Sequence, residues 1–483
     1  MKSDVVVIGS GFGGLSTAIL LARLGLKVTL AEAEPHPGGC LRSYTREGVD
    51  CPVGVHYIGA TAPGEVLGDF IDVLGIRSAL DLRRIGQSGI IDRYTFDDEV
   101  FELPNTIDRL AASLADRFPE APDGVAFVIE LLRSAMASLR TSGARAVASA
   151  PITKNAAEYL ADKHLPDRLV DILAVQGFLV GANLRDCPAS FLSTLTASLL
   201  MSACELGSSG IAMADAMADR AREAGVAMIL GDAVVAVDTN GSGACAVRLQ
   251  SGTALAASAV VAGIHPKTLA HMLPDGAYPD AYRAGLHRLQ ETAGLLSVVA
   301  LVDSGEHPPT DFNAFRLYGA PRNGLRGVYA QLRPSGQPGL TRLTVLRETS
   351  YADWARWHDT STGRRGPEYR AEKARRAQMA LKEAEGAVGP LRDPRVIDVW
   401  TPLTLRDWVH APEGGTYGVR HSIRDGLEYL VLSRPPVEHL YLVGQSAVAP
   451  GLLGTSLGVL RVVGFLAGRE AVRGLMANGL RMG

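Results

Sequence analysis

The residues best suited to chemistry cluster in one short stretch near the N-terminus. The stretch GGCLRSYTREGVDCPVGVHYIG (residues 38–59) contains two thiols, Cys40 and Cys51, and an adjacent pair, His56 and Tyr57. A thiol pair can carry electrons, and an imidazole or a phenol can move a proton. Ten residues separate the cysteines and no C-x-x-C motif exists, so the spacing favours small residues beside a ligand over a redox disulfide. His56 and Tyr57 are therefore the candidate catalytic residues, with structural packing as the alternative for both.

A dinucleotide-binding pattern precedes this stretch. The run DVVVIG predicts a short buried strand, and Gly9-x-Gly11-x-x-Gly14 follows it directly. LSTAILLARLG then has helical periodicity, and LKVTLAE predicts a second buried strand that ends at Glu32. Gly9 permits the tight turn, Gly11 lets the backbone approach a pyrophosphate, and Gly14 lets the helix pack on the strand. Glu32 can accept hydrogen bonds from ribose hydroxyls. Together these features predict a nucleotide cradle.

A second glycine pattern, GSGACA at residues 241–246, lacks this context. Strand-like runs flank it around an Asn-Gly pair, and no helix follows. It therefore predicts the tip of a hairpin and not a phosphate site. No further strand–GxGxxG–helix unit occurs, so the sequence offers no second dinucleotide site for NAD(P)H.

The bulk composition argues against several other functions. The 483 residues suffice for two or three domains, and 48 basic against 51 acidic residues leave a net charge of −3, which is no nucleic-acid footprint. The eleven histidines are spread singly, without an HExxH motif or a Cys/His ladder, so no metal site is expected. Gly454-x-Ser456-x-Gly458 has the letters of the G-x-S-x-G motif, but it lies at a predicted helix start and not on a strand-to-helix elbow, which argues against a serine hydrolase.

The predicted location is cytoplasmic. Five scattered cysteines fit a reducing compartment, and the N-terminus shows no secretory pattern. The apolar stretch 446–468 contains Pro450 and Arg461, which a membrane-spanning helix would hardly tolerate. A charge-rich helix is predicted over 364–386, where mixed signs favour a solvated face. Peripheral contact of its basic half with an anionic membrane is the alternative.

The residues after Gly9 resemble the N-terminus of the FAD-dependent amine-oxidase-type flavoprotein superfamily. GGC followed by GVHYIG is most similar to the phytoene desaturase, carotenoid isomerase and retinol saturase group, and to its retinol saturase branch above all. Three later segments fit this group in order: SSGIAMADAMADRAREAGVAMILGDAVVAVD, TPLTLRDWVHAPEGGTYG and HLYLVGQSAVAPGLLGTSLGV. The motifs span residues 4–468, nearly the whole chain. The resemblance implies FAD as the cofactor.

The resemblance also implies where FAD binds. In relatives the strand around Val234 lies against the adenine, and the helix that follows Gly451 faces the edge of the flavin ring. The N-terminus of that helix could stabilise negative charge on the reduced ring. The FAD-binding residues implied in this way, together with those of the cradle, are Gly9, Gly11, Phe12, Gly13, Gly14, Glu32, Ala33, Gly38, Gly39, Cys40, Arg42, Ser43, Gly54, Val55, His56, Val234, Gly263, Gly444, Gln445, Gly451, Leu453, Gly454, Thr455 and Ser456.

Two positions depart from the family pattern. Pro52 stands where relatives carry an acid before the His-Tyr pair, so the role of that acid is not carried over. Gln445 replaces an acid after the first glycine of the C-terminal block, where a neutral amide can still bind the ribityl chain. His410 and Tyr417 lie in the TPLT block, and either packing or substrate lining is open for both.

The predicted fold is α/β. The resemblance implies a Rossmann-like FAD-binding domain of the GR2 type and a substrate domain with a mixed sheet and helices. We assign residues 1–85, 205–270 and 425–483 to the discontinuous FAD-binding domain, and residues 86–204 and 271–424 to the substrate-binding domain. The strands GLLSVVALVDSG, LTRLTVLRE and RVIDVWT are expected to form a sheet beside the active site, and apolar helices within 106–204 are expected to cover the entrance.

The leading hypothesis is an FAD-dependent oxidoreductase that acts on C=C bonds of a long apolar polyene or isoprenoid. Desaturation, saturation and isomerisation all remain open, with hydride transfer at the flavin and proton movement through His56, Tyr57 or water. One alternative is reductive cyclisation of a polyene natural product. Another is an amine or porphyrinogen oxidase, against which the 6% aromatic content argues. A third is a non-catalytic prenyl- or lipid-binding escort protein, which would not need an intact cradle. The electron donor or acceptor is left open.

Overall fold

Two seven-stranded sheets organise the chain. The computed structural model describes residues 3–141, 154–207, 209–241, 243–422 and 432–482. The strands are β1 (Ser3–Ile8), β2 (Val28–Glu32), β3 (Tyr44–Arg46), β4 (Val49–Cys51), β5 (Leu82–Arg84), β6 (Ile90–Thr95), β7 (Val100–Pro104), β8 (Cys204–Leu206), β9 (Ala227–Leu230), β10 (Val234–Asn240), β11 (Gly243–Leu249), β12 (Ala254–Ala262), β13 (Gly294–Asp303), β14 (Asn313–Leu317), β15 (Gly327–Pro334), β16 (Leu340–Thr349), β17 (Arg395–Trp400) and β18 (Leu440–Leu442).

Helices flank both sheets. They are α1 (Phe12–Arg23), α2 (Val66–Leu74), α3 (Ile107–Arg117), α4 (Pro122–Thr141), α5 (Ala156–Ala161), α6 (Asp167–Ala174), α7 (Ala189–Ser202), α8 (Ser209–Glu223), α9 (Pro266–Met272), α10 (Asp280–Arg288), α11 (Gly366–Val388), α12 (Pro402–Val409), α13 (Gly451–Ala467) and α14 (Arg469–Met482). The α/β fold class is as predicted. Among the described residues, no helix combines the length and the apolarity needed to cross a bilayer.

The first sheet contains the predicted strand–helix–strand unit. Its order is β10-β11-β12-β1-β2-β9, and β18 pairs with β12. β1 runs parallel to β2 and to β12, and α1 connects β1 to β2. Because parallel strands end at a common edge, the loops after β1, β2, β12 and β18 meet there. The N-terminal βαβ prediction is therefore confirmed.

The α1 helix is held by contacts on most of its faces. Its residues from Phe12 to Leu21 are all buried, because it packs against α8 and α13 as well as the sheet. Only small residues allow the closest approach: a Cβ on Gly14 would lie 2.0 Å from the carbonyl oxygen of Gly9. The helix ends before Gly25, whose φ of +88° suits glycine.

The second glycine pattern forms a hairpin, as predicted. β10 and β11 pair antiparallel, with Asn240 opposite Gly243. The strand β12 follows β11, and no helix follows the turn. This segment therefore has the geometry of a β-turn and not that of a phosphate-binding loop. Residue 242 lies outside the described residues.

The second sheet has the order β17-β13-β16-β15-β14-β6-β7. The three strands predicted from sequence are β13, β16 and β17, and β13 pairs antiparallel with both others. Adjacent residues of β17 face opposite sides: Val399 packs in the cluster beneath α11, whereas Trp400 packs with Tyr329 and Leu405 on the other face. Val399 and Trp400 both line the functional cavity, which therefore borders this end of β17.

The two sheets follow the predicted division of the chain. All strands of the first sheet lie within the three segments assigned to FAD binding, and all strands of the second lie within the two segments assigned to the substrate. The helices α9 and α10 lie after residue 270, yet Leu273 and Leu286 pack in the core of the first sheet. The domain boundaries themselves remain predictions, and the one at residue 425 lies outside the described residues.

Candidate cofactor and substrate site

A large cavity lies between the two sheets. Its volume is about 1220 Å³, whereas a pocket for one drug-sized ligand measures roughly 300–1,000 Å³. The loops after β1, β2, β12 and β18 line one side, and β17, α12 and the N-terminus of α11 line the other. The cavity therefore has room for a cofactor and a second molecule.

The turn between β1 and α1 forms one end of the cavity. Gly9 has a φ of +87°, which favours glycine, and a Cβ on Gly13 would lie 2.9 Å from the backbone nitrogen of Gly444. At Gly11, in contrast, no atom lies within 4 Å of an added Cβ, and this residue lines the cavity. The turn thus leaves open space beside the free N–H groups of α1. That is the arrangement a pyrophosphate needs.

Glu32 lies at the end of β2 and lines the same cavity. Its carboxylate accepts hydrogen bonds from the backbone nitrogen of Ser10 at 2.6 Å and from the Ser10 hydroxyl at 2.5 Å. The backbone nitrogen of Glu34 donates to the other oxygen at 2.9 Å. These bonds fix the orientation of the carboxylate. Because each carboxylate oxygen has two lone pairs, acceptor capacity remains for ribose hydroxyls.

Most of the residues predicted to bind FAD or to act in catalysis line this one cavity. They come from the cradle, the stretch after β2, the loop after β4, β10, the loop after β12, the turn after β18 and the start of α13. They are Gly9, Gly11, Phe12, Gly13, Glu32, Ala33, Gly39, Cys40, Arg42, Ser43, Gly54, Val55, His56, Tyr57, Val234, Gly263, Gly444, Gln445, Gly451 and Thr455. The structure therefore brings residues more than 400 positions apart to one site.

Five predicted residues stand behind the cavity wall. They are Gly14, Gly38, Leu453, Gly454 and Ser456, which do not line the cavity. A Cβ on Gly38 would lie 2.6 Å from the Ala214 side chain, and one on Gly454 would lie 2.5 Å from the Ala449 backbone. The Ser456 hydroxyl donates to its own helix, to the carbonyl oxygen of Leu453 at 2.7 Å. These residues shape the wall by close packing, so a direct contact with FAD has no support for them.

Several buried polar atoms along the cavity lack a protein partner. They are Ser43 Oγ, His56 Nδ1, Arg365 Nε, Trp400 Nε1 and Thr416 Oγ1. Buried polar atoms are nearly always paired, so these atoms indicate bound ligands. The hydroxyls of Ser43 and Thr416 lie on the same lining as the glycine cradle. Together with the open space at Gly11, they fit a dinucleotide with a polar chain between its rings.

His56 lines the cavity as a neutral imidazole. Burial, together with the positive charges of Arg342 and Arg333, lowers its pKa to about 4. Its ring meets the Tyr329 ring edge-on at 5.9 Å. Near pH 7 this side chain can accept or donate a hydrogen bond, but it carries no positive charge.

Tyr57 connects the cavity to a buried carboxylate. Its ring stacks on Tyr329 at 6.2 Å, and its hydroxyl donates to Asp92 Oδ2 at 3.2 Å. Asp92, on β6, is fully buried and also accepts from Gln176 Nε2 at 2.8 Å and Asn313 Nδ2 at 2.9 Å. Burial raises the pKa of Asp92 to about 6, and burial likewise raises the pKa of Tyr57 well above its usual value. Sequence patterns gave no signal for Asp92, because its partners come from distant elements.

The network continues away from the cavity. Asn313 Oδ1 accepts from Tyr329, and from Arg333 at 2.9 Å. The Arg333 guanidinium in turn forms a close ion pair with Glu205. The Tyr94 hydroxyl also donates to Asp92, at 3.3 Å, although Tyr94 does not line the cavity. All groups that bind Asp92 directly are neutral, which explains why its pKa is raised and not lowered.

The cysteines near the cradle are free thiols. Cys40 lines the cavity, and Cys51 is buried in β4. Burial raises the pKa of each thiol to about 11. A thiol with a raised pKa is a weak nucleophile and a weak electron carrier, which agrees with their prediction as small residues beside a ligand. Among the described residues, no group of three or more His, Cys, Asp or Glu side chains is arranged to hold a metal ion.

Most of the aromatic lining was not foreseen from sequence, with Tyr417 as an exception. The cavity is lined by Tyr44, Tyr369, Trp400, Trp408 and Tyr417, although aromatic residues make up only 6% of the chain. A low overall content does not report where the aromatic residues gather. Tyr417 and His410, for which packing and lining were both open, both line the cavity.

The glycine cradle, the acid at the end of β2 and the cavity beyond them are the features of a dinucleotide-binding protein. The family model described as "Flavin containing amine oxidoreductase" matches residues 12–455. The chain belongs to this family, its cofactor is FAD, and it is an FAD-dependent oxidoreductase. The escort-protein hypothesis is therefore set aside.

Curated relatives confirm the group that the sequence resembles. The chain is 25% identical to all-trans-retinol 13,14-reductase of Danio rerio, over 95% of this chain and 84% of that protein. The human enzyme of the same name is 24% identical with the same coverage. Hydroxyneurosporene desaturase of Cereibacter sphaeroides is 34% identical over 23% of this chain and 22% of its own.

Solved structures share the fold. An oxidoreductase from Methanosarcina mazei has a TM-score of 0.67 at 14% identity, and the match covers 96% of this chain and 100% of that one. Putrescine oxidase bound to putrescine has a TM-score of 0.64 at 17% identity, with 99% of each chain covered. At this identity the likeness concerns the fold alone.

We predict that Gly11→Val removes FAD without unfolding the protein. A side chain at this position meets open space in the protein but enters the space that a phosphate needs, and the φ of −63° is open to any residue. The purified variant should lack the visible flavin spectrum and should bind added FAD at least roughly a hundredfold more weakly. Its thermal unfolding midpoint, measured on FAD-free protein, should match that of the FAD-free wild type. Gly474→Val on α14 is the control, and FAD retention by Gly11→Val would contradict the cradle.

We predict that Asp92 makes stability depend on pH. Its folded-state pKa is raised from 3.8 to about 6. The stabilising contribution of the protonated carboxyl to the free energy of unfolding is therefore fully present below pH 4 and is lost as the pH rises through 6. The shift corresponds to about 3 kcal/mol. Urea unfolding of the wild type should show this loss between about pH 4 and pH 7, and Asp92→Asn should lack that part of the slope. Glu102→Gln, at an exposed carboxylate on β7, is the control. If the free energy of unfolding had the same pH dependence in Asp92→Asn and in the wild type, Asp92 would not titrate with a raised pKa in the folded protein.

Proposed function

We propose that the enzyme forms, saturates or isomerises C=C bonds of a long apolar polyene or isoprenoid. The observation that carries the proposal is the wall opposite the glycine cradle, where Val53, Leu179, Trp400, Leu405 and Tyr417 line the cavity. Apolar and aromatic side chains supply affinity for a long hydrocarbon without specific polar contacts. The names of the relatives, a retinol reductase and a carotenoid desaturase, support the same substrate class.

Bound FAD supplies hydride exchange with a substrate carbon. The chain's own residues then have to move a proton at the neighbouring carbon. Tyr57 is the lining residue placed for this role, because its hydroxyl is hydrogen-bonded to Asp92 behind the wall. Asp92, with a pKa of about 6, can return or take up the proton near neutral pH. His56 is neutral and orients the ligand by hydrogen bonding through Nδ1, which has no protein partner.

The direction of the reaction follows from the electron partner. Saturation of a double bond, or ring closure on a folded polyene, would require an electron donor, whereas desaturation of a single C–C bond would require an electron acceptor. Amine oxidation is the competing function on this fold, and the aromatic lining is the observation in its favour. Against it stand Arg46, Arg370 and Lys373 on the same lining, because positive side chains repel an alkylammonium substrate.

The first prediction of this proposal concerns the flavin spectrum. Under anaerobic conditions the dithionite-reduced enzyme should be reoxidised by all-trans-retinol roughly tenfold faster than by buffer alone, with loss of the polyene absorbance. NADH and NADPH, added before dithionite, show whether a nicotinamide is the electron source. Prompt bleaching of the oxidised flavin by putrescine, with no response to retinol or to a more saturated polyene, would establish amine oxidation instead.

A second prediction concerns Tyr57. Tyr57→Phe keeps the ring that stacks on Tyr329 but removes the hydroxyl, so the flavin spectrum should persist while the single-turnover rate falls about a hundredfold. Tyr94→Phe removes the other phenol that binds Asp92, without touching the cavity, and is the matched control. Equal rates in the two variants would show that Tyr57 acts on substrate only through packing.

A further inference from the structure

Four cationic side chains line the cavity where β17 and α11 meet the solvent. Arg46, Arg365, Arg370 and Lys373 form this cationic rim. Two carboxylates offset part of the charge: Asp398 lies 3.6 Å from Arg46, and Asp407 lies 2.5 Å from Arg365. The rim therefore carries two positive charges in excess.

The rim has binding capacity that the protein does not use. Arg370 is exposed and, among the described residues, has neither an ion-pair nor a hydrogen-bond partner, so its guanidinium is free to bind an anion. The buried donors at the rim are those of two other residues. Arg365 is only 8% exposed, and its Nε has no partner. Trp400 is 2% exposed, and its Nε1 also has no partner. Buried donors without acceptors are costly, which indicates an acceptor in the working complex.

The helix α11 adds to this field. It is 23 residues long, and no side chain caps its N-terminus. Gly366, its first residue, lines the cavity beside the rim. The free N–H groups and the positive end of the helix dipole therefore point to an anion at the same place. Lys373 is held in position because its Nζ donates to the carbonyl oxygen of Val399 at 2.8 Å.

We propose that the lipophilic substrate carries an anionic oxygen group at one end, a carboxylate or an enolate, and that the cationic rim binds it. This inference rests on the proposed function, since it concerns the substrate of the same cavity. The donors of Arg370, Lys373 and Trp400 face the oxygens, while the apolar body of the substrate lies along the aromatic wall. The pyrophosphate of FAD already has a cradle on α1, which belongs to the other sheet.

The test compares two probes that differ only in the head group, all-trans-retinoic acid and all-trans-retinol. Each is titrated into the FAD-loaded enzyme, and binding is followed by the change in the flavin spectrum. The wild type should bind the acid about tenfold more tightly than the alcohol, as expected for one charge-assisted contact. Arg370→Gln should remove this preference and alter the affinity for the alcohol by less than about twofold. Arg392→Gln is the matched control, because Arg392 pairs with Glu306 outside the cavity lining.

Every other outcome would contradict either the head-group site or the proposed function. Equal affinity of the wild type for both probes would refute the head-group site and leave the polyene function intact. A preference that persists in both Arg370→Gln and Lys373→Gln would also refute it. Weaker FAD binding by Arg370→Gln, with the head-group preference unchanged, would assign the rim to the cofactor. If neither probe perturbs the flavin while putrescine does, the proposed function fails together with this inference.

Discussion

The close approach of three backbone segments around α1 is the constraint on which the site depends. Gly14 must lie against the Gly9 carbonyl, and Gly13 must lie against Gly444, with no room for a Cβ at either contact. The first contact seats the helix on β1, and the second joins it to the turn after β18, which leads into α13. The N-terminus of one helix thereby fixes the turn after β1 and the turn after β18 relative to each other. Hydrophobic burial alone could not do this, because it is non-directional and tolerates shifts that backbone contact does not.

A second constraint lies on the substrate side. Asp92 is a carboxylate in the core of the second sheet, and only neutral groups bind it directly. A low-dielectric site with neutral donors holds a carboxylate near the balance between its charged and protonated forms. Such a group is an unfavourable choice for stability alone, because an apolar residue would pack there at lower cost. Its connection to Tyr57 is what gives this arrangement a chemical use.

The cradle could be predicted from the sequence because the patterns that specify it are local. The strand, the glycine spacing, the helix and Glu32 lie within one βαβ unit, and short-range patterns determine such a unit. The contribution of the C-terminal block to the site could be predicted only from the family resemblance, because Gly444 contacts Gly13 only in the folded chain. Asp92 was missed because Gln176 and Asn313 are far from it in sequence.

The charged helix was predicted to present a solvated face. Arg370 is exposed, as that prediction requires, but it also lines the cavity. Charge periodicity alone gives no signal for a cavity beside an exposed helix face.

The arrangement of the cavity also bears on selectivity along a chain of similar bonds. A long polyene offers many near-equivalent carbons, and apolar walls bind them with little preference for one register. Charged and hydrogen-bonding groups are directional, so an anchor at one end converts sliding into a defined position. The cationic rim and the glycine cradle lie on opposite sides of the same cavity. The span between them would then select which double bond meets the flavin, and Tyr57 would deliver its proton beside that bond. Specificity of this kind requires no exact shape match along the apolar body, which explains how a wall of ordinary aliphatic and aromatic residues can suffice.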